Sequence, residues 1–307
     1  LNMIFYTDRH KERIYLFLSF IGFLTSVFAI IIYLNGNPNF LFFKNSYYQK
    51  SSTGFFVNRT VFSIFLLFCI IASLEFLKNL DQIKYDKKKD NFFIKIYIRI
   101  FIIFITIGII TSFSRIGNFL LFITVLSYLI NEFYYSKEKN KSFLNIILLI
   151  IVFDIIILGL YFGSSELIDR FLFLKEELAL VNSTDLNLNR FQIAKFGLTQ
   201  FYDFKFFGYG AGSFETLFQI NFIDLNNFYA NHAHSDLVEF IGEFGLIGFT
   251  FLFISLLGFI LNIDNYSFLN FILAIYLVVL LFFDFSLHIP IVQFLFIVFF
   301  NLNKKKT

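Results

Sequence analysis

From Val61 to Leu77 the chain reads VFSIFLLFCIIASLEFL, an apolar run with a single charge, Glu75. A helix crossing a hydrocarbon core of about 30 Å needs roughly 17 to 25 such residues. Comparable runs recur at about 14–34, 94–113, 118–133, 143–162, 237–259, 268–284 and 287–302. With 61–77 they make eight expected spans, and the fold class that follows is an all-α, polytopic integral membrane protein. A membrane barrel would instead show alternating segments of about ten residues. Composition agrees: 58% hydrophobic residues, 15% charged residues and a mean hydropathy of +0.73 exclude an ordinary soluble fold. The lone Cys69 sits inside an apolar run, so it forms no intrachain disulfide and completes no metal site.

Charge sets the orientation. With a cytoplasmic N-terminus, the inner segments are Arg9 to Arg13, Lys78 to Lys95, Lys137 to Lys141, a short turn at 260–267 and the tail Lys304-Lys305-Lys306. Four of these are rich in Lys and Arg, as the positive-inside rule requires. Both termini are then cytoplasmic. The outer segments are 35–60, which departs from the rule with Lys44, Lys50 and Arg59, the tight turn 112–117, the loop 163–235 and a turn near 284–288. The chain reads as one membrane domain over 1–307, with the large periplasmic loop 163–235 inserted between the fifth and sixth spans. Its opening Leu1, without a signal peptide, is read as an N-terminal truncation. Within the loop, Glu166 to Val181 and Arg190 to Phe204 are amphipathic and are expected as helices at the membrane surface.

On this topology three of the four histidines, His232, His234 and His288, share the outer face with Arg115 and Arg190. Arg115 stands in the turn Ser114-Arg115-Ile116-Gly117, where it is either an anchor to lipid phosphate or a fork of donors for a phosphate or diphosphate. The segment Gly208-Tyr209-Gly210-Ala211-Gly212-Ser213-Phe214 is a poor nucleotide motif, because no strand precedes it; it reads as a turn whose glycines allow close backbone approach. Asp236 and Glu239 fit a helix N-cap with its partner three residues on. Glu239 and Glu243 share one helical face and mark its polar side. His232 and His234 form a His-x-His pair, a weak metal signature that no second cluster completes, and no metal is expected. His234, just before a helix, suits proton transfer, with ordinary capping or lipid contact as the alternative.

In these residues the chain resembles the O-antigen ligase and polymerase family of bacterial membrane glycosyltransferases, over roughly 105–300. The order carries the resemblance: Ser114, Arg115 and Gly117; Arg190 opening an amphipathic helix; the glycine segment 208–214; His234-Ser235-Asp236-Leu237 followed by Glu243-Phe244-Gly245-Leu246-Ile247-Gly248; and Asp284-Phe285-Ser286-Leu287-His288-Ile289-Pro290. Ser235 stands where the family usually has Asn, and Leu237 is one residue early. The resemblance implies an inner-membrane enzyme with a periplasmic active site. It would act without cofactor or metal on a glycan carried by undecaprenyl diphosphate, and pass it with inversion to lipid A-core or to a growing glycan. The implied catalytic residues are His234, Arg190 and Arg115. The implied substrate contacts are Arg115, Arg190, Gly210, Gly212, His232, Asp236, Glu243 and His288. Membrane lipids are expected partners, and nucleic acid is not. A transporter would place its charges near the bilayer midplane rather than at one face, and a non-catalytic envelope scaffold would tolerate loss of Arg190 and His234.

Overall fold

The structure is a computed structural model that describes residues 8–38, 50–82, 90–135, 190–222, 230–261 and 267–302, with isolated positions between 143 and 152. The described residues form helices and turns, with no strand among them. They fall into two compact units, the first essentially Leu1–Leu167 with Phe294–Leu302, the second Ile168–Gln293.

The first unit holds α1 (Asp8–Leu34), α2 (Arg59–Gln82), α3 (Asp90–Thr111) and α4 (Arg115–Ile130), the last running into a π turn at Asn131–Tyr135. In α2, 94% of the apolar stretch is buried, against 28% in α1 and 39% in α3 and α4, so α2 is the centre of the unit. Lipid tails are as apolar as the helices themselves, so association depends on close backbone approach at small residues. Gly22 of α1 faces Cys69 of α2, leaving no room for a Cβ and explaining why the thiol is wholly buried. Gly108 of α3 lies against Leu66 and Ser26, and Gly117 of α4 against Ser63. Ser73 donates to Ser19 across the α1–α2 interface at 2.9 Å.

The second unit holds α5 (Arg190–Asp203), α6 (Phe214–Asn221), α7 (Asp236–Leu261) and α8 (Phe268–Phe283). A 3-10 turn, Ser286–His288, then leads into α9 (Pro290–Leu302). Among the described residues five helices, α1 to α4 and α7, are long and apolar enough to cross a membrane; α8 and α9 are apolar but shorter. Seven of the eight expected runs are therefore helical, while 143–162 falls mostly outside the described residues, as does the amphipathic stretch 166–181. The last run begins later than expected, because 286–288 forms a separate turn and Pro290 suits the first helical position.

Two features of the second unit differ from the sequence reading. The apolar face of α5 is not turned wholly outward: Ile193 and Gly197 are buried, and Ile193 joins a core of Phe214, Phe218, Ala230 and Ala233, with Phe196 packed against it. A short helix the sequence did not reveal, α6, supplies that cover. Helix α7 is broken at Gly245, where φ is 63° and ψ −178°, a conformation open essentially to glycine alone. The backbone groups freed by the break pair with the preceding loop: Tyr209 N–H donates to Gly242 O at 2.9 Å and Gly210 N–H to Glu243 O at 3.0 Å. In return, Leu246 N–H donates to Lys205 O at 2.9 Å and Ile247 N–H to Phe206 O at 3.2 Å.

Candidate active site

The second unit gathers His232, His234, Asp236, Glu239, Asp284, Phe285 and His288 at the start of α7 and the turn after α8. Glu239, one turn into α7 and 2% exposed, is the anchor. Its Oε2 accepts from Ala233 N–H at 2.9 Å and its Oε1 hydrogen-bonds His232 Nδ1 at 2.9 Å. The same Oε1 lies 3.5 Å from His288 Nε2. One carboxylate thus fixes the residue immediately before His234 and the histidine two residues before it. On the other side, Asp236 N–H donates to Asp284 O at 2.9 Å. His234 itself sits between these ties with φ at 56°, a strained left-handed backbone for a non-glycine residue.

Asp236 does not cap its own helix with its side chain. The fully buried carboxylate reaches instead to the 286–288 turn, accepting from Leu287 N–H at 2.8 Å and pairing with His288 Nδ1. Asp284 is likewise buried and accepts from Ser286 Oγ. Aromatic packing closes the cluster: the ring of Phe285 stacks on His232 with centroids 4.8 Å apart and meets His234 edge-on at 5.4 Å. His288 stacks on Phe240 at 4.7 Å.

The electrostatics separate the histidines. Burial, then the nearby Arg190 charge and His232, push His234 down to about 4, with Glu239 pulling weakly the other way. His234 is therefore neutral at physiological pH, and its buried Nδ1 has no hydrogen-bond partner among the described residues. Burial alone would lower His288 too, but the Asp236 hydrogen bond and the charges of Glu239, Asp236 and Glu243 outweigh it, and its pKa is raised. Burial lifts Asp284 to about 6, against the Ser286 hydrogen bond and the charge of Arg190. Arg190, the first residue of α5, therefore acts on both His234 and Asp284.

The glycine segment meets Glu243. Gly212 N–H donates to Glu243 Oε1 at 2.7 Å, while Gly210 N–H takes the Glu243 carbonyl, so both donors are engaged within the protein rather than facing a phosphate. Gly208 has φ 74° and lies so close to the Glu243 backbone that a Cβ would collide with it. Burial raises the Tyr209 pKa, helped by Glu243 and Glu239. Arg115 belongs to the first unit: it opens α4 behind Ser114, whose side chain accepts from Gly117 N–H at 3.1 Å.

Glu239 is the residue of this cluster that the sequence reading undervalued, because its i, i+3 spacing from Asp236 also fits a cap. The second cluster missing for His232 is also present in the fold: His232, Glu239 and His288 offer ligand atoms within 4.8 Å of one another, a spacing a divalent ion can bridge. Two of those atoms are already joined by the His232–Glu239 hydrogen bond. Glu239→Ala is expected to leave the buried Ala233 N–H unpaired, at a cost of about 1–3 kcal/mol, whereas Glu239→Gln keeps an acceptor there. Thermal unfolding in detergent should therefore rank wild type above Gln and Gln above Ala; equal midpoints for all three would contradict this role.

No curated protein and no solved structure matches the chain significantly. The family model described as O-antigen ligase matches residues 100–254, a segment that includes Arg115, Arg190, the glycine loop, His232, His234, Asp236, Glu239, Glu243 and the break at Gly245. With half of its length matched, and with membrane-crossing helices in its fold, the chain belongs to the O-antigen ligase family.

Proposed function

We propose that the protein is a periplasm-facing inner-membrane glycosyltransferase that moves a glycan from undecaprenyl diphosphate to an acceptor hydroxyl, with lipid A-core as the acceptor. The observation that carries this reading is a neutral, half-buried and backbone-strained His234 within the field of Arg190. His234 takes the acceptor hydroxyl proton as that oxygen attacks the anomeric carbon. The bond from that carbon to the diphosphate oxygen breaks, its electron pair stays on the diphosphate, and configuration inverts. Arg190 stabilises the charge gathering on the leaving group, where fixed cations act most strongly. Arg115 joins it on the strength of the family resemblance. In this assignment His232 and His288 line the acceptor side, while Asp236 and Glu243 hold the loops that shape it.

The pH dependence tests the assignment. A general base must be deprotonated, and kcat/KM reports the free enzyme. The acid limb assigned to His234 is therefore expected near pH 4 rather than near 6.5. Arg190→Gln removes one cause of the depression, so the limb should move to higher pH while the rate falls about 10²- to 10³-fold. A limb that stays in place would separate Arg190 from His234. The clamped diphosphate leaves without Lewis-acid help in this reading, so EDTA should not change transfer. Loss on chelation, restored by one divalent ion, would instead put a metal on His232, Glu239 and His288.

The polymerase reading shares this donor site and differs in acceptor, a lipid-linked growing glycan. Cells lacking their own ligase, complemented with the full-length gene, distinguish the two: a lipopolysaccharide ladder on a gel supports the ligase, and longer lipid-linked glycan without a ladder supports the polymerase.

A further inference from the structure

We infer that the aromatic loop after α5, centred on Phe206 and Phe207, inserts into the acyl region of the bilayer and anchors the histidine site at the membrane boundary. Three observations carry this. First, the loop exposes large apolar side chains outside any helix: Phe206 is 64% exposed and Phe207 82%, with Phe204 beside them and Tyr202, in the last turn of α5, 66% exposed. A group of this kind on a folded surface marks an interaction site rather than a water-facing turn.

Second, polar backbone groups of the loop are paired inside the protein where it meets α7. Gly208 N–H donates to Phe204 O at 2.8 Å, and the carbonyls of Lys205 and Phe206 accept from Leu246 and Ile247. Irregular backbone is tolerated at membrane depth only where its groups are paired inside the protein, and this loop meets that condition at these positions. Third, the patch is continuous with a membrane-crossing surface. The loop's backbone partners Leu246 and Ile247 are themselves exposed, and the exposed residues Phe251 to Ile254 follow on α7, one of the five helices of membrane-crossing length. Lys205, whose Nζ lies 5.5 Å from the centre of the Tyr202 ring, supplies a cation suited to the headgroup layer above the inserted rings.

The occupant is the bilayer itself, and the consequence is positional. The loop is hydrogen-bonded to the break at Gly245 in α7, about three turns beyond His234, so inserting it in the acyl region holds the start of the helix and His234 at the level where a lipid-linked diphosphate lies.

The chain contains no tryptophan, so Phe207→Trp gives a single tryptophan, at the patch, that can be excited selectively over the tyrosines. The purified full chain is placed in phosphatidylcholine–phosphatidylglycerol vesicles, with and without brominated acyl chains. The expected result is blue-shifted emission, quenched by the brominated lipid and little affected by aqueous acrylamide. Quenching mainly by acrylamide would overturn the inference, and so would protection from both quenchers, which would mean that protein covers the patch. Phe206→Trp repeats the measurement should the first variant fold poorly. Neither variant touches His234 or Arg190, so the result stands apart from the assigned reaction.

Discussion

Gly245→Ala is expected to leave little folded protein in the membrane. At φ 63° and ψ −178° the residue occupies a backbone region that side chains with a Cβ essentially do not enter. A Cβ there would also lie 2.5 Å from Gly208 N and closer still to the Phe206 carbonyl. Relief of the clash requires the 205–210 loop to leave the helix, which breaks the backbone hydrogen bonds made by Tyr209, Gly210, Leu246 and Ile247. Four lost hydrogen bonds at about 0.5–1.5 kcal/mol each, with strain of about 1–3 kcal/mol, approach the whole stability of a typical domain. Membrane-fraction yield and size-exclusion behaviour in detergent read this directly. Gly258, further along α7 with nothing within 4 Å of a Cβ, is the matched control, and Gly258→Ala should express as wild type. Equal yields of the two variants would show that the break is dispensable.

The second large effect falls on chemistry rather than folding. His234→Ala removes the general base and should lower the transfer rate by about 10²- to 10⁴-fold, with donor affinity nearly unchanged because Arg190 remains. Loss of the His234 ring removes its contact with Phe285, and its Nδ1 makes no hydrogen bond among the described residues. The variant should therefore be as stable as wild type, unlike Glu239→Ala. A variant that unfolded instead would point to a structural histidine, and one that kept full transfer would remove His234 from the mechanism.

Much of this was legible in the sequence, and the gaps have physical causes. Membrane spans announce themselves through length and apolarity, so seven of the eight runs were located to within a few residues at most ends. The break in α7 was hidden, because Glu243-Phe244-Gly245-Leu246 in an apolar run reads as continuous helix and glycine is common in membrane helices. Only the facing loop, which supplies the missing hydrogen bonds, makes the break stable. The glycines of that loop were read as permitting close approach, and Gly208 against Glu243 shows what they approach. The pairing of Asp236 with His288 spans 52 positions and leaves no local trace, whereas a cap is a local pattern and so suggested itself. For α5, periodicity showed an apolar face but not its occupant; the core with α6 takes Ile193, and Leu198 and Tyr202 stay outside. The neutrality of His234 depends on burial and on Arg190, 44 positions away by 234 − 190, and neither can be read from spacing.

The measurement closest to the central claim is the identity of the lipid left behind when purified full-length protein is given an undecaprenyl-diphosphate-linked glycan and an acceptor. The account predicts that wild type releases intact undecaprenyl diphosphate in step with glycan transfer, and that His234→Ala releases essentially none. Release of undecaprenyl monophosphate, or undiminished release of the diphosphate by His234→Ala, would contradict it.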